Sequence, residues 1–213
     1  MSNKTTRTSH NPSPATRIWP KQSGSQSHRE RAKDFNAVAE EGVTATTRPT
    51  VSAAGRGWQI PTGAAPLRIL FVCTGNTCRS PMAEGLCTAI THKLGVEVQA
   101  TSAGIGATEG SNPSRHAVSV MREMGIEISN HRSRQLNAEM AQAVDLILAM
   151  TPRHAEQARA IVGTTVRVRT LGEYAGGHEV VDDPFEGTVE RYRRTAEQIQ
   201  RLLTEALSCG GTE

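Results

Sequence analysis

The sequence predicts an α/β domain, a four-stranded parallel sheet with helices on both faces, preceded by an extension without a core of its own. Two observations predict it. Along residues 67–207, apolar runs of strand length alternate with segments of helical spacing, and such alternation builds parallel sheets through crossover connections. Residues 1–66 are instead rich in Ser, Thr, Pro, Gly and Arg, with apolar residues scattered without period. A segment of that kind cannot bury enough apolar area to offset its ordering entropy.

The elements follow in order. Leu67–Cys73 is an almost continuous apolar run, the mark of a strand buried on both faces. A glycine-containing loop leads to a helix over Pro81–Leu94, with Met82, Leu86, Ile90 and Leu94 at helical spacing. Pro81 suits its first turn and Gly95 its end. Val96–Ser102 reads as the second strand. Asn112–Met124 reads as a helix, opened by Pro113 and closed by Gly125. Asp145–Met150 is the third strand, Pro152–Val162 a helix and Thr165–Leu171 the fourth strand. Gly187–Leu207 is a long amphipathic helix carrying Val189, Tyr192, Ala196, Ile199, Leu202 and Leu203 near one face.

Residues 67–213 are therefore read as one folded domain and residues 1–66 as a disordered or targeting extension. Within the extension, a short helix over Arg31–Glu41 has weak support, and both tryptophans, Trp19 and Trp58, fall there. Its first 29 residues lack an acidic side chain, as in organelle transit peptides. The net charge of +3 divides unevenly: +5 in residues 1–66 and −2 in residues 67–213. The folded part is thus not basic, and no nucleic-acid partner is expected. No apolar run reaches membrane-spanning length, so no membrane partner is expected either. The N-terminus also lacks the apolar core of a secretory signal. The four cysteines, Cys73, Cys78, Cys87 and Cys209, do not make a disulfide framework. A reducing, cytoplasmic setting and a monomer are expected.

The chemistry lies in Cys73-Thr74-Gly75-Asn76-Thr77-Cys78-Arg79-Ser80. Five residues between a cysteine and an arginine can wrap a tetrahedral oxyanion with their N–H groups inward. The loop follows a buried strand, so it sits at the strand's carboxyl end, where ligands bind in such sheets. It enters a helix N-terminus, which favours an anion. Gly75 permits close backbone approach, Asn76 tolerates a left-handed conformation, and the planar fork of Arg79 can take two phosphoryl oxygens. The same groups, with the Ser80 hydroxyl, favour the Cys73 thiolate, whose pKa is expected well below about 8.5. Cys73 is then a nucleophile for phosphorus. Thr74, Gly75, Asn76, Thr77, Cys78 and Ser80 would bind the phosphate. A Walker loop is excluded, since no Gly-Lys-Ser/Thr follows. Cys73 and Cys78 have no second ligand pair for zinc. Asp182-Asp183-Pro184 would be an ordinary turn elsewhere; beside a thiolate loop it supplies a candidate general acid.

These residues resemble the low-molecular-weight protein tyrosine phosphatase family over roughly residues 67–207. The resemblance runs through Phe71–Glu84, Ser102-Ala103-Gly104, His131-Arg132-Ser133, Asp145–Met150 and Asp183-Pro184-Phe185. It implies a flavodoxin-like sheet and no metal or organic cofactor. It implies that Cys73 becomes phosphocysteine and that Arg79 binds phosphate. Asp183 would protonate the leaving atom and then activate water, while Asn76 and Ser80 support the loop. Thr77 and Phe185 are the implied selectivity residues. Tyrosine-specific members usually carry a β-branched aliphatic residue at the first position and paired tyrosines after the proline. Both Thr77 and Phe185 are similar to the protein arginine phosphatase branch. Glu186 departs from that pattern, which has a small residue there.

The leading expectation is a phosphatase acting on phosphoarginine in proteins, with phosphotyrosine as the alternative. An arsenate reductase would need relay cysteines after the third strand, and none lies between Cys87 and Cys209. A non-catalytic phosphoprotein-binding module would lack one of Cys73, Arg79 or Asp183, and all three are present. Whether Cys78 forms a reversible disulfide with Cys73 or is a passive loop residue stays open. Cys87 is expected in the core, and His131 is expected to be structural.

Overall fold

The computed structural model describes residues 65–164 and 166–208. Residues 1–64 of the expected extension, including Trp19, Trp58 and the 31–41 stretch, lie outside the described residues, as do Thr165 and Cys209.

The chain runs through β1 (Leu67–Cys73), α1 (Arg79–Leu94), β2 (Val98–Gly104), α2 (Arg115–Glu123) and α3 (Ala138–Gln142). It continues with β3 (Leu146–Ala149), α4 (Pro152–Val162), β4 (Arg167–Thr170), α5 (Leu171–Tyr174) and α6 (Val189–Ser208). The four strands form one sheet in the order β2-β1-β3-β4, and every pairing is parallel. From β1 the chain crosses to β2 on one side, while β3 lies on the other. The order reverses at β1, which opens a crevice at its carboxyl end.

The two-residue period of β1 divides the core. Leu67, Ile69, Phe71 and Cys73 face one layer with Met82 and Leu86 of α1, Met121 of α2, and Ile199 and Leu203 of α6. Leu70 and Val72 face the other with Ile147, Ala149 and the α4 residues Ala155, Ala158 and Val162. This double covering is why β1 carries no alternation of polar residues. Each large apolar side chain so buried contributes about 1.5–3 kcal/mol. The one charged group in β1, Arg68, is matched by Asp145 at the entrance to β3. Its Nε and Nη2 donate to the two carboxylate oxygens at 3.2 and 2.9 Å, a two-pronged pairing that fixes the register of the two strands.

Several boundaries differ from the sequence expectation. The first helix begins at Arg79, two residues before Pro81, because the loop's last residues already turn helically. Its end is as expected: Gly95 has φ 67°, and its N–H reaches the carbonyls of His92 and Thr91. The second strand is displaced to Val98–Gly104 because β1 pairs as far as Cys73 opposite Gly104. The helix read over 112–124 is shortened to Arg115–Glu123, since Ser114 turns its N–H to the Thr77 carbonyl at 2.8 Å. The third and fourth strands are trimmed by short connections, and the last helix begins at Val189. Two short helices, α3 and α5, have too few residues to show a period. Each is marked by a cap: Asn137 accepts from Met140 N–H, and Thr170 with Glu173 forms a capping box.

Candidate active site

Cys73 is the last residue of β1, and α1 begins at Arg79, so residues 74–78 span the crevice. Their carbonyls point outward. Cys73 O accepts from Ile105 N–H at 2.9 Å, Thr74 O from Gly106 at 3.0 Å, Thr77 O from Ser114 at 2.8 Å and Cys78 O from Met82 at 3.2 Å. Asn76 O accepts from His131 Nε2 at 3.0 Å. All peptides here are trans, and in a trans peptide the N–H points opposite to its carbonyl. The N–H groups of Thr74, Gly75, Thr77, Cys78 and Arg79 are therefore turned away from these outer partners, toward the loop's interior. The approach is close. A Cβ on Gly104 would stand 2.5 Å from Thr74 O and 3.0 Å from Asn76 N, so only glycine fits against the loop there.

Asn76 is the loop's internal brace. It adopts the left-handed conformation with φ 53°, as its residue type allows. Its Nδ2 donates to Ser80 Oγ at 2.9 Å and to Ser102 Oγ at 2.8 Å. Its Oδ1 accepts from Arg134 N–H at 2.9 Å. Ser102 Oγ donates in turn to Glu84 Oε2 at 2.6 Å. Burial raises the Glu84 carboxyl, opposed by the Ser102 hydroxyl and the charge of Arg134. With these groups satisfied, Ser80 Oγ stands 3.0 Å from Cys73 Sγ and 3.3 Å from Ala103 O. The sulfur is its nearer partner.

The arginine and the carboxylate meet across the loop. Arg79 Nη2 donates to Asp183 Oδ2 at 2.6 Å. The Arg79 side chain is 6 % exposed and that of Asp183 51 %. The other carboxylate oxygen of Asp183 accepts from Phe185 N–H at 3.2 Å, a local turn of the kind favoured by Asp before proline. Asp182 instead uses its N–H to bind Gln198 and lies outside this pairing. Phe185 is largely exposed beside the acid. Glu186 has φ 57°, which gives a backbone reason for the small residue expected there.

The structure thus brings Cys73, Arg79, Asp183, Asn76 and Ser80 together, with Thr74, Gly75, Thr77 and Cys78 forming the wall between them. It also adds residues that the sequence reading did not single out. His154, in the first turn of α4, pairs its Nε2 with Thr74 Oγ1 at 2.9 Å. Burial, with the nearby charge of Arg79, pushes it down to about 4, so it is neutral at ordinary pH. Tyr192 of α6, read only as part of an apolar face, has its hydroxyl 3.3 Å from Cys78 Sγ and accepts from Ser114 Oγ at 3.1 Å. Burial and the contact with Cys78 push its phenol up to about 12. His131 braces the Asn76 carbonyl. Cys87 is fully buried, and desolvation pushes its thiol up to about 12, so it is an inert core residue.

The model of the family described as low molecular weight phosphotyrosine protein phosphatase matches residues 68–209. The chain belongs to that family. It is a cysteine-dependent protein phosphatase, and its Cys-x5-Arg loop lies at the carboxyl end of β1. The phosphatase is 41 % identical over 139 residues to a protein-arginine-phosphatase of Bacillus subtilis, covering 64 % of this chain and 92 % of the relative. It is 40 % identical over 145 residues to low molecular weight protein-tyrosine phosphatase A of Mycobacterium bovis, covering 65 % and 88 %. It superposes with a TM-score of 0.63 and 39 % identity on a cysteine-to-serine mutant of the YwlE arginine phosphatase whose active-site serine is phosphorylated, covering 65 % of this chain and 92 % of that one. Other protein-tyrosine-phosphatase relatives are 31–36 % identical. Among the described residues, no helix is long and apolar enough to cross a membrane.

Proposed function

We propose that the phosphatase hydrolyses phosphoarginine in proteins through a phosphocysteine intermediate. The Cys73 thiolate attacks phosphorus while the loop N–H groups and Arg79 hold the equatorial oxygens. Asp183 gives its proton to the leaving guanidine nitrogen as the P–N bond breaks. The same carboxylate then takes a proton from water, which attacks the phosphocysteine and releases inorganic phosphate and Cys73. Asn76 and Ser80 keep the loop and the sulfur in register. Arg79 and the Phe185 N–H fix the Asp183 carboxylate at the rim, from where it would make both proton transfers.

The observation that supports the reading is the Arg79–Asp183 contact: a carboxylate held by the arginine that would bind the phosphoryl oxygens would stand beside the leaving atom. Thr77 supports arginine as the substrate. It is half-buried in the wall, with its hydroxyl 3.6 Å from Cys78 Sγ, and an oxygen there can hydrogen-bond to water where a branched alkyl group could not. Phe185, exposed beside Asp183, offers a flat apolar face to the alkyl part of an arginine. Side-by-side rates on phosphoarginine and phosphotyrosine peptides test the choice. Higher kcat/KM on phosphoarginine is expected, and Thr77→Ile should shift the ratio toward phosphotyrosine by about tenfold, a difference of roughly 1.4 kcal/mol. An unchanged ratio in that variant removes the argument from Thr77. The relative from Mycobacterium bovis favours the second reading, phosphotyrosine, with the same Cys73, Arg79 and Asp183 roles.

We extend the proposal to a cytoplasmic monomer whose partner is a phosphorylated protein. Residues 67–213 would form the catalytic domain and residues 1–66 an extension to it. Light scattering and limited proteolysis with activity assays test these points.

A further inference from the structure

Beside the phosphate loop lies a cleft of about 690 Å³ whose walls include Thr74, Arg79, Arg153, His154, Gln157 and Asp183. It begins at the Arg79–Asp183 pair and continues past the region assigned to phosphate chemistry. Three features of it go unused in the reaction described above. Arg153 is exposed and has neither a hydrogen-bond nor an ion-pair partner among the described residues. It sits in the first turn of α4, an eleven-residue helix with Pro152 at its start and Thr151 as its cap, so the positive end of that helix faces the same space. His154 is 6 % exposed, and its Nδ1 is buried without a partner among the described residues.

The charges that line the cleft decide what kind of ligand fits. Arg79 is already held by Asp183, which leaves Arg153 as the cation without a partner among the described residues. An unpaired cation and a helix N-terminus at one end of the cleft favour an anionic oxygen. Asp182 and Asp183 also line the cleft, and their carboxylates repel an anion placed near them. The favourable position is therefore on the Arg153 side. We infer that this cleft is a subsite for an acidic side chain of the substrate protein, an Asp or Glu within two residues of the phosphorylated one, recognised by Arg153 and the first turn of α4.

The inference rests on the phosphatase reading but not on the choice between phosphoarginine and phosphotyrosine. The test uses the full chain and two series of phosphopeptides, one of each kind. Within a series, the peptides differ only in Glu against Gln at one of the two positions on either side of the phosphoresidue. At one position the Glu peptide should have a kcat/KM about 3- to 5-fold higher, the size of a half-exposed ion pair. Arg153→Gln should bring that ratio to about one, and Arg153→Glu should invert it. Raising salt from about 0.05 M to about 1 M should also flatten the ratio in the unmodified enzyme. Each ratio is taken within one enzyme, so any general loss of rate in a variant cancels. Equal rates for Glu and Gln at all positions overturn the subsite, as does a ratio that survives Arg153→Gln or high salt. If only the phosphotyrosine series is hydrolysed, the arginine reading fails and the subsite is judged on that series alone.

Discussion

At the floor of the site, Asn76, Ser80 and Ser102 are fully buried and each finds its hydrogen-bond partners inside the protein. At the rim, the Asp183 side chain is 51 % exposed and Phe185 is 63 % exposed. The floor holds a sulfur atom and a set of amides in one geometry, and any group left without its partner there costs about 1–3 kcal/mol. The rim holds one carboxylate between Arg79 and water. A rigid floor suits a reaction in which the phosphoryl group always has the same shape. A looser rim suits leaving groups that differ.

Removing the proposed nucleophile is the strongest test of this division. Cys73→Ser should reduce turnover of an aryl phosphate by about 10⁴-fold or more with little change in the melting temperature. Residual turnover within tenfold of the parent would place the nucleophile elsewhere. At the rim, Asp183→Asn should lower kcat by about 10²- to 10⁴-fold. The loss should grow as the leaving group becomes more basic, and a loss independent of leaving group would deny it the role of proton donor. Between these regions, Asn76→Ala removes donors to Ser80 and Ser102 and the acceptor for Arg134. Denaturant unfolding should show a loss of about 1–3 kcal/mol, larger than any single substitution at the exposed Phe185. A variant as stable as the parent would contradict a brace at the floor.

A further effect concerns pH. His154 is held near 4 in the folded protein, below its ordinary value near 6.5. Between these values the unfolded chain binds a proton that the folded one refuses. This contribution to stability is complete above about 6.5, is lost as pH falls toward about 4, and changes no further below that. His154→Gln should flatten this part of the stability curve. An equally steep decline in the variant would assign the slope to other groups.

The floor was legible in sequence because Cys73 through Ser80 are contiguous and their spacing carries its own physical logic. The layers of the sheet were legible for a similar reason, since each strand's pattern is local. What escaped notice depends on long-range pairing. His154 reaches Thr74 across 80 residues and Tyr192 reaches Cys78 across 114, and no periodicity links such pairs. The Thr151-Pro152 start of α4 was the available signal for His154, since it puts that residue in a first turn at the carboxyl end of β3. Tyr192 had no comparable signal. Its spacing with Ala196, Ile199 and Leu203 is that of a core face, and its ring does join the core. Only the hydroxyl departs from that role. Gly104 belongs to the Ser102-Ala103-Gly104 motif, but what requires glycine there is the distant Thr74 carbonyl packed against it.

The phenol of Tyr192 makes the last helix answerable for the first loop. One oxygen touches Cys78 in the wall around the sulfur and Ser114 at the entrance to α2, so three distant stretches of chain share a single knot. A shortened protein ending before Val189 would lose more than apolar cover: its catalytic centre would come untied with its tail.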